Sequence, residues 1–107
     1  MNRTKIGSEW DDVRSLLFQL RKVSEAHFKR CGGWSIHDQI CHTHSEVSEL
    51  YELIRKRHLP TREEMLEEIW DVVFSAITNA HVLGFSDEEL LQGMISTLRK
   101  IQSRVNR

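Results

Sequence analysis

The sequence predicts an all-α fold, a four-helix bundle-like protomer, on three observations. Apolar residues recur at three- and four-residue spacing along four separate stretches. Each stretch opens on a residue that can cap a helix, Ser8, Ser35, Thr61 or Ser86, the last three followed by Asp38, Glu64 and Glu89 at the capping-box position. No segment alternates apolar and polar residues convincingly over the length of a strand.

In chain order, Ser8 caps a first helix beginning at Glu9 and ending near Cys31, with Trp10, Val13, Leu17 and Leu20 on its apolar face. Gly32-Gly33 stops it, because glycine enters the left-handed conformation of a helix C-terminus without steric penalty. Ser35 opens a second helix running to about Arg57. On it Ile36, Ile40, Val47, Leu50, Tyr51 and Ile54 share an arc about 100° wide beside Glu46. Leu59-Pro60 breaks the chain, and a third helix extends from about Arg62 to Leu83, closed by Gly84. Beside its apolar arc runs a polar line, Glu64, Glu68, Asp71, Ser75 and Asn79, at four- and three-residue spacing and therefore on one face. The fourth helix starts after Ser86, presents Leu90, Leu91, Met94, Ile95, Leu98, Ile101 and Val105, and fades into a basic end. No linker divides the chain, so residues 1–107 are expected to form a single domain.

Composition narrows the function. Charged residues make up 29% and hydrophobic ones 39%, with a mean hydropathy of −0.46, as in globular water-exposed proteins. No run is long enough to cross a bilayer and no apolar signal-peptide core is seen, so a cytoplasmic protein without membrane partners is expected. Cys31 and Cys41 lack Cys-x-x-Cys spacing, which argues against a zinc ribbon or a thioredoxin-type pair. A formal charge of −1 without aromatic–basic interleaving argues against a nucleic-acid partner. Glycine-rich phosphate loops are missing, so any phosphate recognition falls to a metal and to basic side chains.

Two acidic pairs stand out, Glu46-x-x-Glu49 on the second helix and Glu68-x-x-Asp71 on the third. Exposed glutamates are ordinary on helices, and solvation or pairing with lysine and arginine is the usual fate of such residues. Glu46, however, is flanked by apolar residues, where an unpaired carboxylate is unfavourable and a divalent cation removes the penalty. Two antiparallel helices about 8–10 Å apart can bring both pairs face to face. Such hard oxygen ligands suit Mg²⁺ or Mn²⁺, which bridge to phosphates and lower the pKa of water, leaving a further carboxylate to act as general base.

These residues resemble the motif of the MazG-like all-α nucleoside triphosphate pyrophosphohydrolases. The likeness comprises the two pairs on adjacent helices, Ile69, Val72 and Val73 around the second pair, and Leu83-Gly84 after it, within Trp34 to Arg104. The resemblance implies Mg²⁺-dependent cleavage between the α and β phosphates of a (d)NTP, giving the monophosphate and pyrophosphate. It implies metal binding and catalysis by Glu46, Glu49, Glu68 and Asp71, and triphosphate binding by Lys100 and Arg104. It also places Trp34 near the base. A homodimer or a dimer of dimers follows from the resemblance and from the surplus of apolar residues on the first and third helices. One departure is Ser45, where many members carry an additional glutamate; either the mechanism differs or Glu64 or Glu67 substitutes. A non-catalytic helical interaction module on the same scaffold and a phosphoribosyl-ATP pyrophosphohydrolase are the alternatives.

Of the six histidines, His42 shares a face with Glu46 and Glu49 and is a candidate substrate contact; His27, His58 and His81 read as structural, and His37 and His44 are weaker candidates than His42. Asn79 continues the face of Glu68 and Asp71, either as a ligand contact or as an amide satisfied by a neighbouring helix. Trp70 and Phe74 point away from the acid line and suit a subunit interface.

Overall fold

A computed structural model describes residues 6–32, 34–55 and 60–106. Among them are four α-helices and no strand: α1 (Asp11–Arg30), α2 (Ile36–Arg55), α3 (Arg62–Val82) and α4 (Asp87–Val105). The expected all-α fold is therefore seen. Gly33 and Lys56 to Leu59, with the expected end of α2 near Arg57 and the histidine His58, lie outside the described residues.

Local hydrogen bonds set three of the four helix starts. The Ser35 hydroxyl accepts from Asp38 N–H at 3.1 Å while the Asp38 carboxylate accepts from Ser35 N–H at 3.2 Å. Thr61 with Glu64 and Ser86 with Glu89 form full capping boxes. The first helix differs: Ser8 makes no cap and instead lies in a 3₁₀ turn, Ser8–Trp10, that leads into Asp11. Gly32 and Gly84 follow α1 and α3 with φ of 73° and 87°, the left-handed conformation that glycine tolerates best.

α2 and α3 form the most extensive helix pair, and α4 packs mainly on α1. Leu17 of α1 and Leu91 and Ile95 of α4 are the buried apolar core, supported by Ile6, Trp10, Val13, Ile77 and Leu90. Arg21 ties this unit to the α3–α4 turn by donating to Asp87 at 3.0 Å and to the Phe85 carbonyl at 2.7 Å.

The apolar stripes of α2 and α3 are not buried as helical spacing alone suggests. Ile40, Val47, Tyr51 and Ile54 on α2, and Leu66 and Ile69 on α3, are each about half exposed or more. The buried residues at the α2–α3 seam are instead polar, Gln39 and Ser75. Periodicity identifies an apolar face but not the surface that covers it, and here the two helices meet along their polar margins. The chain is also open in shape. Its radius of gyration is 16.4 Å, against about 13 Å for a compact domain of this length. No helix among the described residues is long and apolar enough to cross a membrane.

Candidate metal centre

α2 presents Glu46 towards α3, where Glu68 and Asp71 lie one turn apart on one face. One carboxylate oxygen from each of these three residues lies within 4.8 Å of the others. Glu46 and Glu68 are partly buried and Asp71 is exposed. Glu49, on the next turn of α2, is exposed and outside this group.

Glu46 is the strained member. Its side chain is 13% exposed and its Oε1 lies 3.3 Å from His42 Nε2, while its Oε2 is buried with no hydrogen-bond partner among the described residues. Burial raises its pKa first and the negative charge of Glu49 next; His42 opposes them, and Asp71 and Glu68 each raise it by less than His42 lowers it. A buried carboxylate oxygen without a donor, facing two further carboxylates, fits a hard divalent cation, which would reverse each of these unfavourable terms.

Beside the acids a recess of about 350 Å³ opens between α1, α2 and α3, within the usual ligand-site range of about 300–1,000 Å³. Glu46 and Asp71 form part of its wall, with Phe28, Trp34, His42 and Phe74 among the others. Trp34 is stacked on Phe28 with ring centroids 6.3 Å apart and planes at 15°. His27 and His42 meet the Trp34 ring edge-on, at 5.6 and 6.3 Å. His27, expected to be structural, thus lines the recess. So does Phe74, expected to point away from the acids, and its ring also meets that of Trp70 with centroids 5.8 Å apart and planes tilted by 43°.

Gln39 and Ser75, which line the recess, belong to a polar network. Thr43 Oγ1 lies 2.8 Å from Ser75 Oγ and 3.2 Å from Asn79 Oδ1, and Gln39 donates to the Ser75 carbonyl at 2.9 Å. Asn79 Oδ1 thus accepts from Thr43 of the neighbouring helix, and Asn79 is not among the recess-lining residues. Gln39 and Thr43 were not anticipated from the sequence. The available signal was phase: Gln39 precedes Glu46 by seven residues and Ser75 follows Asp71 by four, so each shares a face with an acid.

Lys100 and Arg104 are not brought to the acids within the protomer. Both are exposed on the last turns of α4, where every described residue after Ile95 is exposed, and among the described residues no lysine or arginine lines the recess. Glu64, one of the two substitutes suggested for the acid missing at Ser45, uses its carboxylate to accept the Thr61 N–H at 3.1 Å. Glu67 is exposed.

Comparisons with family models, curated proteins and solved structures give no match to this chain.

Proposed function

We propose that the chain is a Mg²⁺-dependent nucleoside triphosphate pyrophosphohydrolase of the MazG-like type, releasing pyrophosphate and a (d)NMP. The observation that carries this reading is the meeting of Glu46, Glu68 and Asp71 within 4.8 Å, with a buried unpartnered oxygen on Glu46, at the mouth of an aromatic recess.

On this reading Glu46, Glu68 and Asp71 would hold Mg²⁺ or Mn²⁺. When bound, the cation supplies charge neutralisation for the phosphates and acidifies an attacking water. Glu49 is exposed on the next turn of α2, which leaves its carboxylate available to accept that water's proton. The Trp34–Phe28 stack offers an aromatic wall for the base, and His42 sits between that wall and Glu46.

Lys100 and Arg104 then reach the triphosphate from a second copy of the chain. Three observations support assembly as a homodimer or a dimer of dimers: α4 is uncovered beyond Ile95, the apolar faces of α2 and α3 are exposed, and the radius of gyration exceeds that of a compact domain. Trp70, nearly half exposed and not among the recess-lining residues, belongs to such a surface.

The direct test is pyrophosphate release from a panel of NTPs and dNTPs with Mg²⁺. Turnover of at least one that is abolished by Glu68→Gln is expected, and absence of release from all of them refutes the reading. The non-catalytic interaction module is favoured by one observation, that Ser45 lacks the additional acid and Glu64 is held in its cap. Calorimetric titration with Mg²⁺ and a non-hydrolysable nucleotide separates the two, since a pure interaction module binds neither.

A further inference from the structure

Gln39 is 3% exposed and its amide is committed at both ends. Oε1 accepts the Trp34 Nε1–H at 2.8 Å. Nε2 donates to the Ser75 carbonyl at 2.9 Å and lies 3.2 Å from Ser75 Oγ. The orientation of the amide follows from its neighbours. An indole nitrogen can only donate and a backbone carbonyl can only accept, so oxygen must face Trp34 and nitrogen must face Ser75.

This side chain joins three parts of the site. Trp34 belongs to the segment before α2, outside any helix, so helical geometry does not fix its ring. The single polar atom of the indole is held by Gln39, and its face lies against Phe28 of α1. Gln39 shares a face of α2 with Glu46, and Ser75 shares a face of α3 with Asp71. With 3% of its surface exposed and a protein partner at each end of its amide, Gln39 is placed to hold Trp34 and Ser75.

We infer that Gln39 is a positioning residue: it holds the Trp34 indole as a fixed wall of the recess, so that a planar heteroaromatic ring of the ligand docks against a preset surface. The ligand part of this inference rests on the nucleotide reading above; the positioning of the indole does not. A ring held in place before binding loses less freedom when the ligand arrives, and the benefit appears in ground-state affinity. Gln39 therefore acts on KM through Trp34, whereas a residue that only braced the helices would displace the acids and lower kcat.

The test uses the full ¹⁵N-labelled chain and Gln39→Met, which keeps length and volume but can neither accept from the indole nor donate to Ser75, so a fall in kcat with KM unchanged marks a mere helix brace and overturns the inference. In ligand-free protein, solvent exchange of the Trp34 Nε1–H, assigned through Trp34→Phe, is expected to accelerate about threefold to tenfold, the range for loss of one hydrogen bond. Titration with non-hydrolysable dNTP analogues and Mg²⁺ is expected to show a similar loss of affinity, with KM raised and kcat kept. Placed in a Trp34→Phe background, Gln39→Met is expected to produce no further loss.

Unchanged indole exchange, or affinity losses that multiply in the double variant, overturns the inference. If the wild-type chain neither binds nor hydrolyses any nucleotide, the pyrophosphohydrolase reading fails, and the exchange measurement still decides the role of Gln39. Should the methionine variant not fold, Gln39→Asn, polar but too short to bridge Trp34 and Ser75, must show the same acceleration.

Discussion

Glu46→Gln is expected to make the metal-free protein more stable and the metal-loaded protein less stable. At pH 8 the Glu46 carboxylate faces those of Glu68 and Asp71 with ligand atoms at most 4.8 Å apart. Two unit charges at that distance repel by about 0.9 kcal/mol in water, so two neighbours contribute about 1.7 kcal/mol before ionic screening. An amide at this position removes the repulsion and can donate where Oε2 now has no partner. Screening on the exposed Asp71 side reduces the gain to about 1 kcal/mol, or about 4 °C in Tm for a chain of this size.

The opposite sign is expected with Mg²⁺. At a concentration one hundred times its Kd, a cation that binds only the folded state stabilises the wild type by about 2.7 kcal/mol, and the variant loses most of that increment with one ligand. Thermal unfolding in EDTA and in Mg²⁺, at fixed protein concentration, gives the four midpoints. A variant less stable than wild type in EDTA refutes the charge repulsion, and one stabilised by Mg²⁺ as much as wild type refutes the cation.

Two further outcomes are expected. His81 has a side chain only 4% exposed, 3.6 Å from Asp87. Burial, and then the charge of Arg21, hold its pKa below the ordinary 6.5 despite Asp87. The unfolded chain then binds this proton more readily, so the contribution of His81 is present above pH 6.5 and is lost as pH falls through its lowered pKa. Urea unfolding between pH 5 and 8 should show a decline on acidification that His81→Gln reduces; equal slopes refute the assignment. Lys100→Ala with Arg104→Ala should lower kcat/KM for triphosphates about tenfold or more, as expected for charge-assisted phosphate contacts, and leave the Mg²⁺-dependent Tm shift unchanged. Mixing that double variant with the inactive Glu68→Gln chain should restore turnover, measured as pyrophosphate release, if the basic residues act across copies; no recovery removes that arrangement.

The helix starts at Ile36, Arg62 and Asp87 were legible because their capping bonds link residues three apart in sequence. The same reasoning failed at Ser8, where a 3₁₀ turn replaces the cap. Acid spacing placed Glu46, Glu68 and Asp71 on usable faces, but not the exclusion of Glu49 from the group. Residues three apart on a helix differ by about 60° in direction, and α2 directs one acid to the seam whereas α3 directs two. Gln39 was legible only in its phase with Glu46: nothing local indicates that a glutamine lies opposite a serine on the next helix and bonds an indole five residues earlier. The position of Lys100 and Arg104 could not be read either, because spacing along α4 does not reveal which helix α4 packs on.

The polar seam has an energetic consequence that joins site and assembly. Gln39, Thr43, Ser75 and Asn79, together with the acids, occupy the line where α2 and α3 approach each other. Leucine or isoleucine there would contribute about 1.5–3 kcal/mol per fully buried side chain, whereas each satisfied hydrogen bond contributes about 1 kcal/mol net. The acids contribute repulsion until a cation joins them. The apolar residues that would stabilise the hairpin, Val47, Ile54, Leu66 and Ile69 among them, face outward instead. On the proposed reading, the hairpin gains stability from two sources outside itself, a cation between the acids and a second chain over the apolar faces. Each binds the folded hairpin in preference to the unfolded one, so each favours the other by linkage, and weakening association weakens metal binding even when every acid is intact.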